Sequence, residues 1–317
     1  MEEKKELVSV IMPAYNVENY IGEAIQSVLN QTYQKFELII VDDGSTDETW
    51  EIIQSFNDPR IIQVRHPQNK GVAEARNTAL KAAKGKWVAL IDSDDIWLPE
   101  RLEKLIKILE EKGNSYFIAD DHTLCFDTPN GLKQWGSEFD IFYHINFDEE
   151  IITFSFSDYL RNNAPLIHPI FPLSIVRENN LTQKQKFAPC EDFLFYCELF
   201  KAGFKLILTR NEYYMYRLST ASLTSKKPKP SDVRVIEYLL AFENLSNEER
   251  SLLDRLLLMS KRNFRYNTFT YYLKHGEFRN AIKYSLKNPT LFFEIVARLP
   301  ISLRYRISAK MSGGSIK

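Results

Sequence analysis

Cysteine is scarce in this chain: three residues in 317, Cys125, Cys190 and Cys197. An odd number without zinc-ligand spacing predicts reduced thiols and excludes a disulfide-built miniprotein. Long hydrophobic runs are missing too, and nothing approaches the roughly 18 apolar residues that a spanning helix needs. The charged start MEEKKELVSV leads straight into a strand-like run with no signal-like apolar stretch, so the expected location is cytoplasmic. Neither GxGxxG nor GxxxxGK[ST] occurs, which leaves the dinucleotide-binding and P-loop readings without support. Net charge is also absent, with 41 Lys and Arg against 42 Asp and Glu.

The absent charge is an average over two unlike regions. Residues 1–225 carry 23 basic and 34 acidic side chains, whereas residues 226–317 carry 18 and 8. The expected organisation is therefore an acidic domain over 1–225, a Lys/Pro-rich linker at 226–231, and a basic helical extension to residue 317. With 44% hydrophobic and 26% charged residues, the composition is that of a globular chain.

The first hundred residues alternate two periodicities. Short apolar, β-branched runs at 7–12, 36–41, 61–65 and 87–91 read as buried strands. Helical spacing occupies 18–29, 46–56, 71–83 and about 99–111, with Ser45 or Thr46 placed to cap the second helix. This βαβαβαβ order predicts a mainly parallel twisted sheet between helices, an α/β fold whose ligand crevice lies beyond the carboxyl ends of the strands. Three unusual segments fall at such ends: Pro13–Asn16, Asp42–Thr46 and Asp92–Asp95. From 114 to 180 the pattern loosens. A helix over 190–203 and strands over 205–209 and 213–216 follow, then helices to the end, with a hairpin at His275-Gly276.

Each candidate group has a plain structural alternative. Asp92-Ser93-Asp94-Asp95 places three carboxylates in four residues, which calls for a compensating hard cation such as Mg2+ or Mn2+; a solvated, helix-capping turn is the alternative. Asp42-Asp43-Gly44-Ser45 reads as a turn plus cap, or as recognition of ligand N–H and hydroxyl groups. Arg76 and Asn77 lie on an alanine-rich helix, where an Arg ordinarily faces solvent but small neighbours would let a base or phosphate approach. Glu191-Asp192 opens a helix, where carboxylates complement the dipole; the functional alternative is a general base.

Together the segments VSVIMPAYN (8–16), IVDDGSTD (40–47), NKGVAEARN (69–77), DSDD (92–95) and ED (191–192) resemble a family 2 glycosyltransferase, in the family's order and spacing over about residues 7–225. The resemblance implies a GT-A fold and an inverting, metal-dependent transfer from a nucleotide-sugar donor, UDP-linked, to a hydroxyl of a glycan or lipid-linked acceptor in cell-surface polysaccharide synthesis. Carried over by position, Pro13, Ala14, Tyr15 and Asn16 line the nucleotide. Asp43, with Asp42, bonds to the base, and Arg76 sits beside base or phosphates. Asp92 reaches the ribose, with Ser93 next to it, and Asp94, joined by Asp92, binds Mn2+ or Mg2+. Asp192 is the base, and Glu191 supports the acceptor pocket or orients that base. One departure stands out: many members carry Tyr-Arg-x-His, whereas this chain has Tyr216-Arg217-Leu218-Ser219. Ser219, Thr220 or water would then complete the site, and Arg217 either clamps phosphate or ends a strand. The competing expectations are a nucleotidyltransferase, which usually needs a glycine-rich basic loop that Pro13–Asn16 does not supply, and a catalytically weak nucleotide-sugar-binding protein.

Residues 255–317 hold 13 Lys and Arg against two acidic residues, interleaved with Phe264, Tyr266, Phe269, Tyr271, Tyr272, Phe292, Phe293 and Tyr305. Two readings follow: a surface that attracts anionic lipid and offers aromatics to the headgroups, making the protein peripheral on the inner face of a membrane, or an appendage whose aromatics pack while its charges are solvated. No nucleic-acid-binding motif accompanies the charge.

Overall fold

The computed structural model describes residues 6–147, 149–218, 228–291 and 294–295. Strand β1 (Val8–Ala14) and strand β2 (Phe36–Asp42) are buried along their whole length, as largely apolar strands covered on both faces should be, with Ser9 Oγ donating to Glu37 at 2.6 Å between them. Between them, α1 (Ile21–Leu29) turns Ile21, Ala24, Ile25 and Val28 inward at helical spacing. Helix α2 (Thr49–Ser55), β3 (Ile61–Arg65), α3 (Val72–Ala82) and β4 (Trp87–Leu90) continue the alternation. A two-residue strand, β5 (Ile96–Trp97), then precedes α4 (Arg101–Lys112), which buries Leu102, Leu105, Ile106 and Leu109. Fully burying each such side chain contributes roughly 1.5–3 kcal/mol.

The loosely patterned region folds into β6 (Tyr116–Thr128), β7 (Gly131–Ser137), β8 (Ile151–Phe154), α5 (Phe156–Arg161), β9 (Ile170–Pro172) and α6 (Leu173–Glu178). Helix α7 (Glu191–Lys201) and β10 (Lys205–Arg217) complete the sheet. Its main path runs β3-β2-β1-β4-β9-β6-β10-β5, with β7 on β6 and β8 on β10. Strands β3, β2, β1 and β4 are mutually parallel; β9 is antiparallel to both β4 and β6. The two strands expected over 205–216 form one, β10, whose pairing with β6 slips between Thr209 and Tyr214.

The chain falls into two compact units, residues 1–220 with 246–252, and residues 221–245 with 253–317. In the second unit, α8 (Ser231–Leu240) buries Val233, Val235, Ile236 and Leu239. Helix α9 (Asn247–Lys274) runs unbroken for 28 residues, longer than the expected hairpin arm, and α10 (Phe278–Lys287) follows the His275-Gly276 turn. Lys261 pairs with Glu237 at 2.9 Å, and Arg265 forks onto Glu294. Most of the helix expected over 290–299, with Phe292 and Phe293, lies outside the described residues, as does Tyr305. No helix among the described residues is long and apolar enough to cross a membrane.

Candidate active site

The carboxyl ends of β1, β2 and β4 open onto a cleft of about 240 Å³ whose lining includes Pro13, Ala14, Tyr15, Asp43, Asn69, Asp92, Ser93 and Asp94. Pro13 and Ala14 end a buried strand, while Tyr15 is exposed and offers a ring face. Asn16 and Asp42 are not among the lining residues. Asn16 has a positive φ of 52° and clips two loops together, its N–H donating to Ser45 Oγ at 3.0 Å and its Oδ1 accepting from Thr46 N at 2.9 Å. Asp42 is fully buried, accepts from Ser45 N at 3.1 Å and faces Arg65 Nε at 2.9 Å. Both side chains are engaged by the neighbouring turn or strand, and Arg76, Glu191 and Asp192 are likewise not among the lining residues. Ser45 and Thr46 do not cap α2 as expected, because the helix starts later, at Thr49.

Asp43 does line the cleft, yet it is also a hub. Its carboxylate accepts from Lys70 N at 3.0 Å and Gly71 N at 2.7 Å, and Oδ1 lies 2.6 Å from His66 Nδ1. These bonds draw the 66–71 loop against the 42–45 turn. Gly44, at φ +75°, permits the approach, since a Cβ there would sit 2.7 Å from the Gln68 carbonyl carbon.

Arg76 faces inward, contrary to the ordinary expectation for a helical Arg. Its Nη2 donates to Asp92 Oδ1 at 2.7 Å, and Nη1 lies 3.3 Å from Gln183 Oε1 and 3.6 Å from Glu191 Oε1. Asn77 exchanges two hydrogen bonds with the Gln183 backbone, and Gln185 Oε1 accepts from Ala73 N at 3.0 Å. The 183–185 segment thus grips α3, and the chain continues from there into Glu191-Asp192 in the first turn of α7. Residues more than a hundred positions apart are brought to one guanidinium by this grip.

Charge in the site is strongly organised. Burial opposes the charge on Arg76, but the surrounding Asp92, Asp192 and Glu191 carboxylates outweigh it and hold the guanidinium more firmly protonated than usual. Burial likewise opposes ionisation of Asp92, yet Arg76 and His168 beside it keep this carboxyl well below the usual range. Asp94 is less well matched: burial and then the charge of Asp92 push it up to about 6. Asp95 is raised well above its ordinary value by burial and by Asp94 and Asp92. Burial raises both Glu191 and Asp192, and Arg76 works against the rise in each.

The turn 92–95 is braced from β10. Tyr214 Oη donates to Asp95 Oδ2 at 2.7 Å and accepts from Asp92 N at 3.1 Å. Arg217 donates its backbone N–H to Asp95 Oδ1 at 2.8 Å and its Nε to the Asp94 carbonyl at 2.8 Å, and it pairs with Glu23 and Asp127. Arg217 thus braces this turn from the end of β10. Ser219 and Thr220 lie outside the described residues.

Sequence reading missed His168. Its Nε2 lies 3.3 Å from Asp92 Oδ2, and its Nδ1 lies 3.2 Å from His122 Nε2. His122 in turn stands 2.5 Å from Glu138. The only local signal was a lone imidazole between Pro165 and Pro169. Asp92, Asp95 and His168 each bring one ligand atom within 4.8 Å of the others. Two oxygen donors and an imidazole, with Asp94 lining the cleft beside them, suit a hard or borderline divalent ion.

Known proteins share both the sequence pattern and the fold. The model of Glycosyl transferase family 2 matches residues 9–169. TuaG of Bacillus subtilis (strain 168), whose name assigns it provisionally to teichuronic acid biosynthesis, is 35% identical over 230 residues, covering 71% of this chain and 84% of TuaG. The Escherichia coli UDP-Glc:alpha-D-GlcNAc-diphosphoundecaprenol beta-1,3-glucosyltransferase WfaP is 43% identical over 124 residues, which is 38% of this chain and 49% of WfaP. Among solved structures, S. aureus TarS 1–349 in complex with UDP-GlcNAc superposes with a TM-score of 0.60 at 22% identity, covering 83% of this chain and 73% of that one. The mannosyltransferase PcManGT from Pyrobaculum calidifontis, in complex with GDP-Man and Mn2+, gives 0.59 at 16% identity, covering 92% and 84%.

Proposed function

The chain belongs to glycosyl transferase family 2, a glycosyltransferase with the GT-A arrangement, and from that premise we propose that it transfers a sugar, with inversion, from a UDP-linked donor to a hydroxyl of a glycan or lipid-linked acceptor in cell-surface polysaccharide synthesis. The observation that carries the reading is the cleft itself, where an exposed tyrosine ring, Asp43 and the Asp92–Asp94 turn share one wall system at three strand ends. Tyr15 and Pro13 offer flat surface to a nucleobase. Asp43 stands in the same wall, its carboxylate fixed by its loop bonds. The Asp92 carboxylate, kept ionised by Arg76, stands ready for hydroxyl donors.

Asp94 and Asp92 would hold Mn2+ or Mg2+, with His168 behind Asp92, and the ion would neutralise charge developing on the departing diphosphate. Asp192 supplies the base. The acceptor oxygen bonds to the anomeric carbon as the bond to the diphosphate oxygen breaks, and the acceptor proton passes to Asp192. Its raised pKa strengthens it as a base at neutral pH. Arg76 positions both halves, joining Asp92 to Glu191 next to that base. WfaP's name describes a diphosphoundecaprenol-linked substrate, which supports the lipid-linked alternative for the acceptor. The excess of Lys and Arg over 255–317 supports placement at an anionic membrane surface.

Calorimetric titration with UDP-sugars, with and without Mn2+, tests the donor reading. Mn2+-dependent binding that Asp94→Asn abolishes is expected; equal affinity without the ion, or in the variant, would overturn the metal assignment.

A further inference from the structure

The aromatics expected to face lipid, Phe264, Tyr266, Phe269, Tyr271 and Tyr272, are half-buried along α9. Leu258 and Met259 on α9 are exposed as well, but the most exposed large apolar side chains among the described residues of this unit stand on α10. Phe278, Ile282 and Leu286 on α10 are 63%, 62% and 79% exposed. Spaced four apart, they fall within about 80° on the helix circumference, and Arg279, Lys283 and Lys287 form the adjoining stripe over the next roughly 80°. Those three cations are exposed as well, while Ala281 is buried and Tyr284 and Ser285 are half-buried on the remaining side. The single carboxylate at this helix, Glu277, is half-buried and accepts from Asn280 Nδ2 at 2.6 Å.

A scattered exposed leucine needs no explanation, but three large apolar residues in register beside three cations do. We propose that α10 lies flat on an anionic lipid surface, with Phe278, Ile282 and Leu286 entering the acyl boundary and Arg279, Lys283 and Lys287 held at the headgroups. The charge decides the partner: an apolar stripe bordered by a cation stripe, with no exposed carboxylate on the helix, matches anionic phospholipid. Leu273 and Lys274, exposed at the end of α9, extend the same character across the turn. The inference rests on the membrane-surface reading above and assigns that role to one helix.

The test is co-sedimentation of the full chain with phosphatidylglycerol/phosphatidylcholine vesicles and with pure phosphatidylcholine vesicles. Variants are the triple F278S/I282S/L286S and the triple R279E/K283E/K287E, with circular dichroism confirming that each folds. The expected result is binding to the anionic vesicles that falls at least about tenfold in either variant, with weak binding to neutral vesicles. If the wild type binds but both variants bind within about twofold of it, α10 is not the contact, although the membrane-surface reading survives. If the wild type binds no vesicle, both readings fall. If sedimentation velocity shows a dimer that the serine variant dissociates, the face belongs to a second copy and the inference is overturned.

Discussion

The two compact units use charge in opposite ways. In the first, cations are drawn inside: Arg76 and Arg101 are 5% and 0% exposed and each is tied to carboxylates from distant segments. Arg101 donates to Asp120 and to the His168 carbonyl, so it also fixes the backbone behind Asp92. In the second, Lys261 and Glu237 pair at the surface, and the cations of α10 stand in solvent beside uncovered apolar residues. A buried charge must be matched at fixed geometry because desolvation is costly, so the first unit holds its reactive groups in place. An exposed charge costs nothing to leave unmatched and stays available to a partner.

That contrast can be broken by experiment. Asp192→Asn is expected to lower transfer by about 10²- to 10⁴-fold while donor affinity, read by calorimetry, stays unchanged. Parallel loss of donor binding would mean that the residue holds the site rather than acting in it. Arg101→Ala leaves Asp120 buried without its cation and should cost roughly 3–5 kcal/mol in denaturant unfolding. A loss below about 1 kcal/mol would deny that this unit depends on matched interior charge.

Because burial raises Asp192 and Arg76 lowers it, transfer should fall toward acid through a limb above the ordinary carboxylate value, as the base becomes protonated and can no longer accept. Arg76→Gln removes the lowering charge and should move that limb to higher pH; an unmoved limb would mean that another group sets it. The smallest effect is expected in the second unit. Lys261→Ala should change stability by less than about 1 kcal/mol, since an exposed pair is screened and contributes little.

Much of the first hundred residues was legible because each signal there is local. A run such as 36–42 is apolar in most positions and buried throughout, and the loops that follow such strands carry Asp43, Asp92 and Asp94 to one cleft. The 114–180 region was not legible for a matching reason. Its β9 has three residues and exists because β4 and β6 pair with it from either side, a non-local condition that leaves little periodicity. His168 lies two residues before that strand. Asn16, Asp42 and Arg217 each have a side chain engaged by a neighbouring loop or turn, a contact between segments distant in the chain that periodicity does not reveal.

The sequence by itself determined the alternation of strands and helices, the strand ends where chemistry could sit and the charge divide between the regions, since these follow from periodicity, turn chemistry and composition. Only the tertiary structure decided which carboxylates share a cation. Arg76 meets Asp92 and Glu191 because Gln183 and Gln185 grip α3, and that contact joins segments over a hundred residues apart. Likewise, only the folded helix shows which apolar residues of the basic region remain uncovered, because burial depends on what packs against a face and not on the residues that compose it.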